Sequence, residues 1–235
     1  FSHHNGRYIR MAYSNKIIGP YKIYKEGVLN IKNSPGKDHL ASPDVHVDSE
    51  NKTITMYYHT CFNKNQYTLE STSKDGVFFK SNEIILGSYY FRVFRFKNQL
   101  YSIAKGSNNY GKIYKKVNNE WQIIYEKLIK NIRHTAILVE DDIIYLFYSL
   151  IGELQESIYC SILNIDNFMV TNKYKLLKPT LKYEGFNFTK EKSKIGMEKK
   201  FVNQVRDPGI YKNKNNKYLL YSVSGEKGIA IAKLT

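Results

Sequence analysis

The sequence predicts an all-β fold, a five-bladed β-propeller with an incomplete first blade, and three observations carry that reading. The first is a repeat. Asp44 to Tyr58, His134 to Tyr148 and Asp207 to Tyr221 share one spacing of 14 residues, each joining a polar strand start to an apolar, aromatic run. Supersecondary units that recur in this way cannot bury both faces alone and must stack on one another. The second is strand-length segments broken by turn residues, which, arranged radially, form the blades of a propeller. The third is composition: 21 Tyr and 12 Phe in a chain of 235 residues favour pleated sheets, on which aromatic side chains pack well.

Taken in order, Phe1 to Arg7 reads as a strand end and a turn, and Tyr8 to Ser14 alternates as a strand. Ile18-Gly19-Pro20-Tyr21 turns into an outer strand, Lys22 to Leu29. This first blade, about residues 1–31, lacks its two inner strands, so either the chain is a fragment or another element closes the ring. Blade two, 39–86, opens on His39 to Asp48, whose Ser42-Pro43-Asp44 start leads an alternating inner strand. Thr53 to Thr60 is its antiparallel partner, and Lys74-Asp75-Gly76-Val77 turns a later hairpin. Blade three, 89–128, has an inner hairpin shorter by about two residues and sets Arg92 where other blades set Asp or His. Blade four, 132–182, and blade five, 201–235, flank an irregular stretch, Lys178 to Gln204, of a length that often crosses a binding site. No linker interrupts the pattern, so residues 1–235 are expected to form a single domain.

A formal charge of +15 invites a nucleic-acid partner. The lysines, however, are spread through turns such as Lys212 to Lys217, with no arginine stripe, so solvated turns are the favoured reading and nucleic acid is disfavoured. No apolar run reaches the roughly 18 residues of a membrane helix. Cys61 and Cys160 match no metal spacing; free thiols and one disulfide both stay open. Nothing at Phe1 reads as a leader, which leaves bacterial cytoplasm, periplasm and secretion all open, as it does the oligomeric state.

Once the Ser-Pro-Asp, Arg133-His134 and Arg206-Asp207-Pro208 strand starts are aligned, the chain resembles the five-bladed propeller glycoside hydrolases, the group of arabinanases, xylosidases, invertases and levansucrases. Ala12-Tyr13-Ser14 followed by Gly19-Pro20-Tyr21 looks like a turn of those enzymes, and Arg206-Asp207-Pro208 looks like their Arg-Asp-Pro motif. The order of His3-His4, Ser-Pro-Asp-Val-His-Val, Phe-Arg-Val-Phe, Arg-His and Arg-Asp-Pro is similar to an uncharacterised bacterial branch of that superfamily. The resemblance implies three acidic groups around an axial pocket. Asp44 matches the carboxylate that tunes pKa or holds sugar hydroxyls, and Asp207 a hydroxyl acceptor; the first-blade strand that usually carries the base is not in this sequence.

Glycoside cleavage needs one ionised carboxyl and one kept protonated, because the leaving oxygen must gain a proton as positive charge builds on the sugar. Asp44 and Asp207 are the expected ionised members, against the alternative of a turn cap and a salt bridge. Glu184, between Tyr183 and Phe186, is the expected general acid, against an exposed loop glutamate. Glu153 and Glu226 repeat at equivalent corners, which fits a structural turn better. Arg92, Arg133, His134 and Arg206, with His4, His46 and His59, are expected to hold substrate, the arginines suiting a sugar that bears a carboxylate or sulfate. Neighbouring histidines on a strand point to opposite faces, so neither a metal nor any other cofactor is expected. The expected partner is a carbohydrate. The rival readings are a glycan-binding propeller without turnover and a basic interaction surface.

Overall fold

The computed structural model describes residues 6–234, almost all of them in strands and the turns that join them. The chain divides into two compact units, Phe1–Phe91 and Arg92–Thr235.

In the first unit, β1 (Tyr8–Tyr13) pairs with β2 (Lys22–Asn30) as a sheet of two strands, the incomplete blade the sequence predicts. The next sheet runs β3 (Lys37–Asp48), β4 (Thr53–Phe62), β5 (Asn65–Ser73) and β6 (Lys80–Ser81), with β7 (Gly87–Ser88) also on β5. Ile9, Leu29, Leu40, Met56, Tyr58 and Leu69 close the core between the two sheets.

The second unit holds three sheets in chain order. They are β8 (Arg92–Phe96), β9 (Gln99–Lys105), β10 (Tyr110–Val117) and β11 (Glu120–Lys130); β12 (Ile132–Glu140), β13 (Ile143–Leu150), β14 (Ile158–Leu163) and β15 (Val170–Leu177); and β16 (Arg206–Asn213), β17 (Asn216–Val223) and β18 (Gly228–Leu234). β8 and β9 pack on β12, and β12 and β13 pack on β16, so the leading strands of successive sheets are neighbours. Ile103, Ile113, Ile132 and Leu146 fill the first of these interfaces, and Phe147, Ile158, Val205 and Leu219 the second. All sheets are antiparallel meanders, and the fold is an all-β propeller.

The turns explain much of the Lys- and Asn-rich composition. Lys97-Asn98, Asn118-Asn119 and Asp141-Asp142 each take two successive positive φ values, the backbone of the tight hairpins whose twist matches the strands. Asn and Asp reach that region at lower cost than other side chains. Among the described residues no helix is long and apolar enough to cross a membrane.

The equal 14-residue spacings conceal two turn lengths. The β3–β4 turn spans residues 49–52, whereas β12–β13 and β16–β17 turn in two residues, 141–142 and 214–215. Counted back from the last residue of the strand, His134 and Asp207 are both seventh, and Ser42 is the seventh in β3. Asp44 is fifth and matches Arg92, the fifth of β8. The Asp44 position is therefore two residues on from the His134 and Asp207 position, because the longer turn makes up the count. Each of the three strands also carries one extra residue there. Ser42-Pro43 lies between the pairs Ala41–His59 and Asp44–Tyr57, Arg133-His134 between Ile132–Leu150 and Thr135–Tyr148, and Asp207-Pro208 between Arg206–Ser222 and Gly209–Leu220. Bulges of this kind re-aim side chains and cluster beside functional sites.

Candidate functional site

In the second unit the bulges of β12 and β16 bring His134 and Asp207 together. His134 Nδ1 bonds Asp207 Oδ1, and Ser222 Oγ donates to Asp207 Oδ2 across 3.2 Å. Asp207 sits at φ +54, a region that costs a non-glycine residue strain, with Pro208 fixing the next step of the chain. Ser42, also before a proline, takes φ +51, so the first unit repeats the bend without the carboxylate. Burial would push the Asp207 carboxyl up. The charge and hydrogen bond of His134, then the charges of Arg206 and Arg133, outweigh it and hold Asp207 well below the usual carboxylate range. Its side chain keeps 20% exposure while that of His134 keeps 7%, so the carboxylate is ionised, oriented and still reachable.

Beneath this pair lies a buried charge network. Arg133 Nε and Nη2 hold Glu156 at 2.7 and 3.1 Å, and Ser149 Oγ donates to the same carboxylate at 2.6 Å. Arg206 lies 3.5 Å from Glu156 and 3.0 Å from Glu226, and also donates to Gln204. Arg133 and Arg206 were both expected to face a ligand. They are 3% and 0% exposed and turn inward, where each guanidinium holds glutamates of its own chain. A buried guanidinium demands such partners, since an unpaired charge away from water is costly.

Arg133 also donates to the backbone oxygens of Lys194 and Gly196, at 2.6 and 3.3 Å. The segment expected to cross a site is in this way fastened down. Gln204 holds Glu191 O, Asn203 holds Phe186 O, and Gly152 N donates to Ser193 Oγ. Glu184 belongs to the same fastening. It closes a short 3-10 turn, Lys182–Glu184, and is 2% exposed. One oxygen accepts from Thr180 N at 2.8 Å and Leu181 N at 2.9 Å, and the other accepts from Tyr221 Oη at 2.7 Å. Tyr183 and Phe186, which flank it in the sequence, are 54% and 53% exposed; hydrogen-bond donors enclose the carboxyl.

In the first unit, Asp44 and His46 lie on one face of β3, and Asp44 Oδ2 meets His46 Nε2 at 2.9 Å. Their side chains are 19% and 42% exposed. Val45 and Val47, the apolar half of the alternation, face solvent, so the strand buries its polar half more deeply than its valines. Tyr57 packs edge-on to His46, and its hydroxyl is pushed up by burial, Glu70 and Asp44. His59 is buried against the rings of His39, Tyr89 and Tyr90. Arg92 opens β8 half-buried, and His4 lies outside the described residues. Cys61 and Cys160 are both buried free thiols. Among the described residues no group of three or more His, Cys, Asp or Glu is placed to hold a metal ion.

Sequence reasoning passed over Lys105, Ser149, Glu156 and Ser222. Glu156 had one signal, its place just after the second strand of blade four; the others are ordinary strand residues until the sheets pack.

The chain resembles solved structures over nearly its whole length. An exo-1,5-α-L-arabinanase from a bovine ruminal metagenomic library superposes with a TM-score of 0.67 at 13% identity, covering 99% of this chain and 88% of that one. A GH43 β-xylosidase/α-arabinofuranosidase from a compost metagenome, in complex with xylotriose, gives 0.67 at 13%, covering 96% and 79%. The fold is that of the propeller glycoside hydrolases. An α-L-arabinanase of Cellvibrio cellulosa complexed with arabinohexaose also matches, at a TM-score of 0.53 and 15% identity, over 87% of this chain and 76% of that one. In sequence, the chain is 28% identical over 269 aligned positions to the uncharacterized protein R118 of Acanthamoeba polyphaga mimivirus, covering all of this chain and 75% of that protein. That relative is viral, and so lends no support to the bacterial source the resemblance implied. No family model matches the chain.

Proposed function

We propose that the chain acts on glycosidic bonds of pentose-containing oligosaccharides, with Asp207 as the ionised carboxylate that meets the sugar. The observation that supports this most directly is the His134–Asp207–Ser222 arrangement, in which a strained, partly exposed carboxylate is held in one orientation and one charge state. An ionised carboxylate stabilises the positive charge that grows on the sugar ring or activates the attacking water. His134 and Ser222 act as positioning residues in this reading, and the Arg133–Glu156–Arg206 network fixes the strands that carry the pair. Asp44, in the first unit, is the next acidic candidate, with His46 and His59 as substrate contacts to test in that unit and Arg92 as one to test in the second. The neighbours' ligands, xylotriose and arabinohexaose, motivate the substrate class. The test is release of reducing ends from xylo- and arabino-oligosaccharides. Turnover that Asp207→Asn abolishes while the variant keeps its fold supports the reading; turnover equal in the two overturns it.

A second reading, sugar binding without hydrolysis, is favoured by one observation. A proton donor needs a protonated carboxyl free to face the leaving oxygen. Glu156 is enclosed by two guanidinium groups, Glu184 by backbone N–H groups and Tyr221, and Glu226 by Arg206. Binding of xylotriose by calorimetry, with no reducing ends formed, would select this reading over the first.

A further inference from the structure

The buried network of the second unit holds one cation more than it pairs. Arg133 and Arg206 share Glu156, and Glu226 completes Arg206. Lys105, at the end of β9, is 4% exposed and has no hydrogen bond or ion pair with any described residue. The residue opposite it on β10 is Gly111, which puts no side chain on that face. β9 packs on β12, the strand of Arg133 and His134. A lysine carrying charge in so enclosed a place, with no acid of its own, is poised for an anion that arrives with a ligand.

We infer that Lys105 is the recognition point for the negatively charged group of an acidic sugar, a carboxylate such as that of a uronic acid. The inference rests on the sugar-directed reading above and narrows it, moving to Lys105 the anion contact that the sequence suggested for Arg92 and Arg133. Burial, followed by the charge of Arg133, lowers the Lys105 pKa to about 8, against which Glu156 works. The contact is accordingly complete near pH 6.5 and lost above pH ~9, where the amine is neutral.

The experiment is calorimetric binding of D-glucuronate, D-xylose and inorganic sulfate to the intact chain at pH 6.5 and 9.5, which requires no turnover and so stands apart from the test of hydrolysis. Glucuronate is expected to bind about tenfold to a hundredfold more tightly than xylose at pH 6.5, as a charge-assisted hydrogen bond provides. That preference should vanish in Lys105→Met and at pH 9.5, and persist in Lys105→Arg at both pH values. Equal affinity for glucuronate and xylose, an unchanged preference in Lys105→Met, or binding of sulfate but not glucuronate would each overturn the inference.

Discussion

Among the described residues, an Asp–His pair stands in each unit of the molecule, and the two are built differently. Asp44 and His46 lie two residues apart on a single strand, their side chains 19% and 42% exposed, and the pleat of β3 puts them on one face. His134 and Asp207 are 73 residues apart in the chain. They stand at the bulges of two strands, next to two buried arginines that share Glu156. Proximity in sequence yields a pair set by one strand; proximity through packing yields a carboxylate whose charge and direction are fixed by a second strand. The second kind is what selective chemistry on a sugar requires, and it is the more expensive to build.

The largest consequence should come from the network under the packed pair. Glu156→Gln leaves the enclosed Arg133 guanidinium without its carboxylate and Arg206 with Glu226 alone, and should cost about 3–5 kcal/mol in denaturant unfolding. A loss no larger than that of a surface substitution would remove the network from the account.

Lys105→Met tests the surplus cation in the opposite direction. The Lys105 pKa is lowered in the folded chain to about 8, from about 10.4 in the unfolded one. Its charge therefore opposes folding by the full amount below pH 8, and that cost fades as pH rises from 8 to about 10.5. The variant should be more stable than the parent at pH 7, by about 1–3 kcal/mol. The gain should shrink steadily toward pH 10; a variant less stable at pH 7 would contradict the assignment.

Asp207→Asn keeps a side chain that tolerates positive φ and removes only the charge. A stability loss of about 1–2 kcal/mol is expected, with thermal unfolding as the readout. Asp207→Ala should lose more, because the bend at φ +54 then lacks both a tolerant side chain and its bonds to His134 and Ser222. Smallest is His46→Ala, which should change stability by less than about 0.5 kcal/mol. An effect there as large as that of Asp207→Ala would erase the contrast between the pairs.

The blades could be read from the sequence because strand period and turn chemistry are local. Asn118-Asn119 and Asp141-Asp142 announce their hairpins by residue type alone. The site was only half legible. Asp207 and His134 stood out as polar residues at strand starts, but the spacing that aligned Asp44 with them counts turn residues as well as strand residues, and the β3–β4 turn is two longer. Arg133 and Arg206 looked like ligands because a lone arginine beside a pocket residue says nothing of the glutamate that packing will bring to it. Lys105 could not be noticed at all, since its enclosure is produced by strands that meet only in the folded unit.

The claim on which the rest turns is that His134 keeps Asp207 ionised in a fixed orientation. Carbon NMR of the Asp207 carboxyl across an acid titration measures this directly. The carboxyl should hold its ionised shift through and below pH ~3.9, where an ordinary aspartate takes up its proton, and its midpoint should move upward in His134→Gln. A midpoint at or above that ordinary value, or one indifferent to His134, would contradict the account.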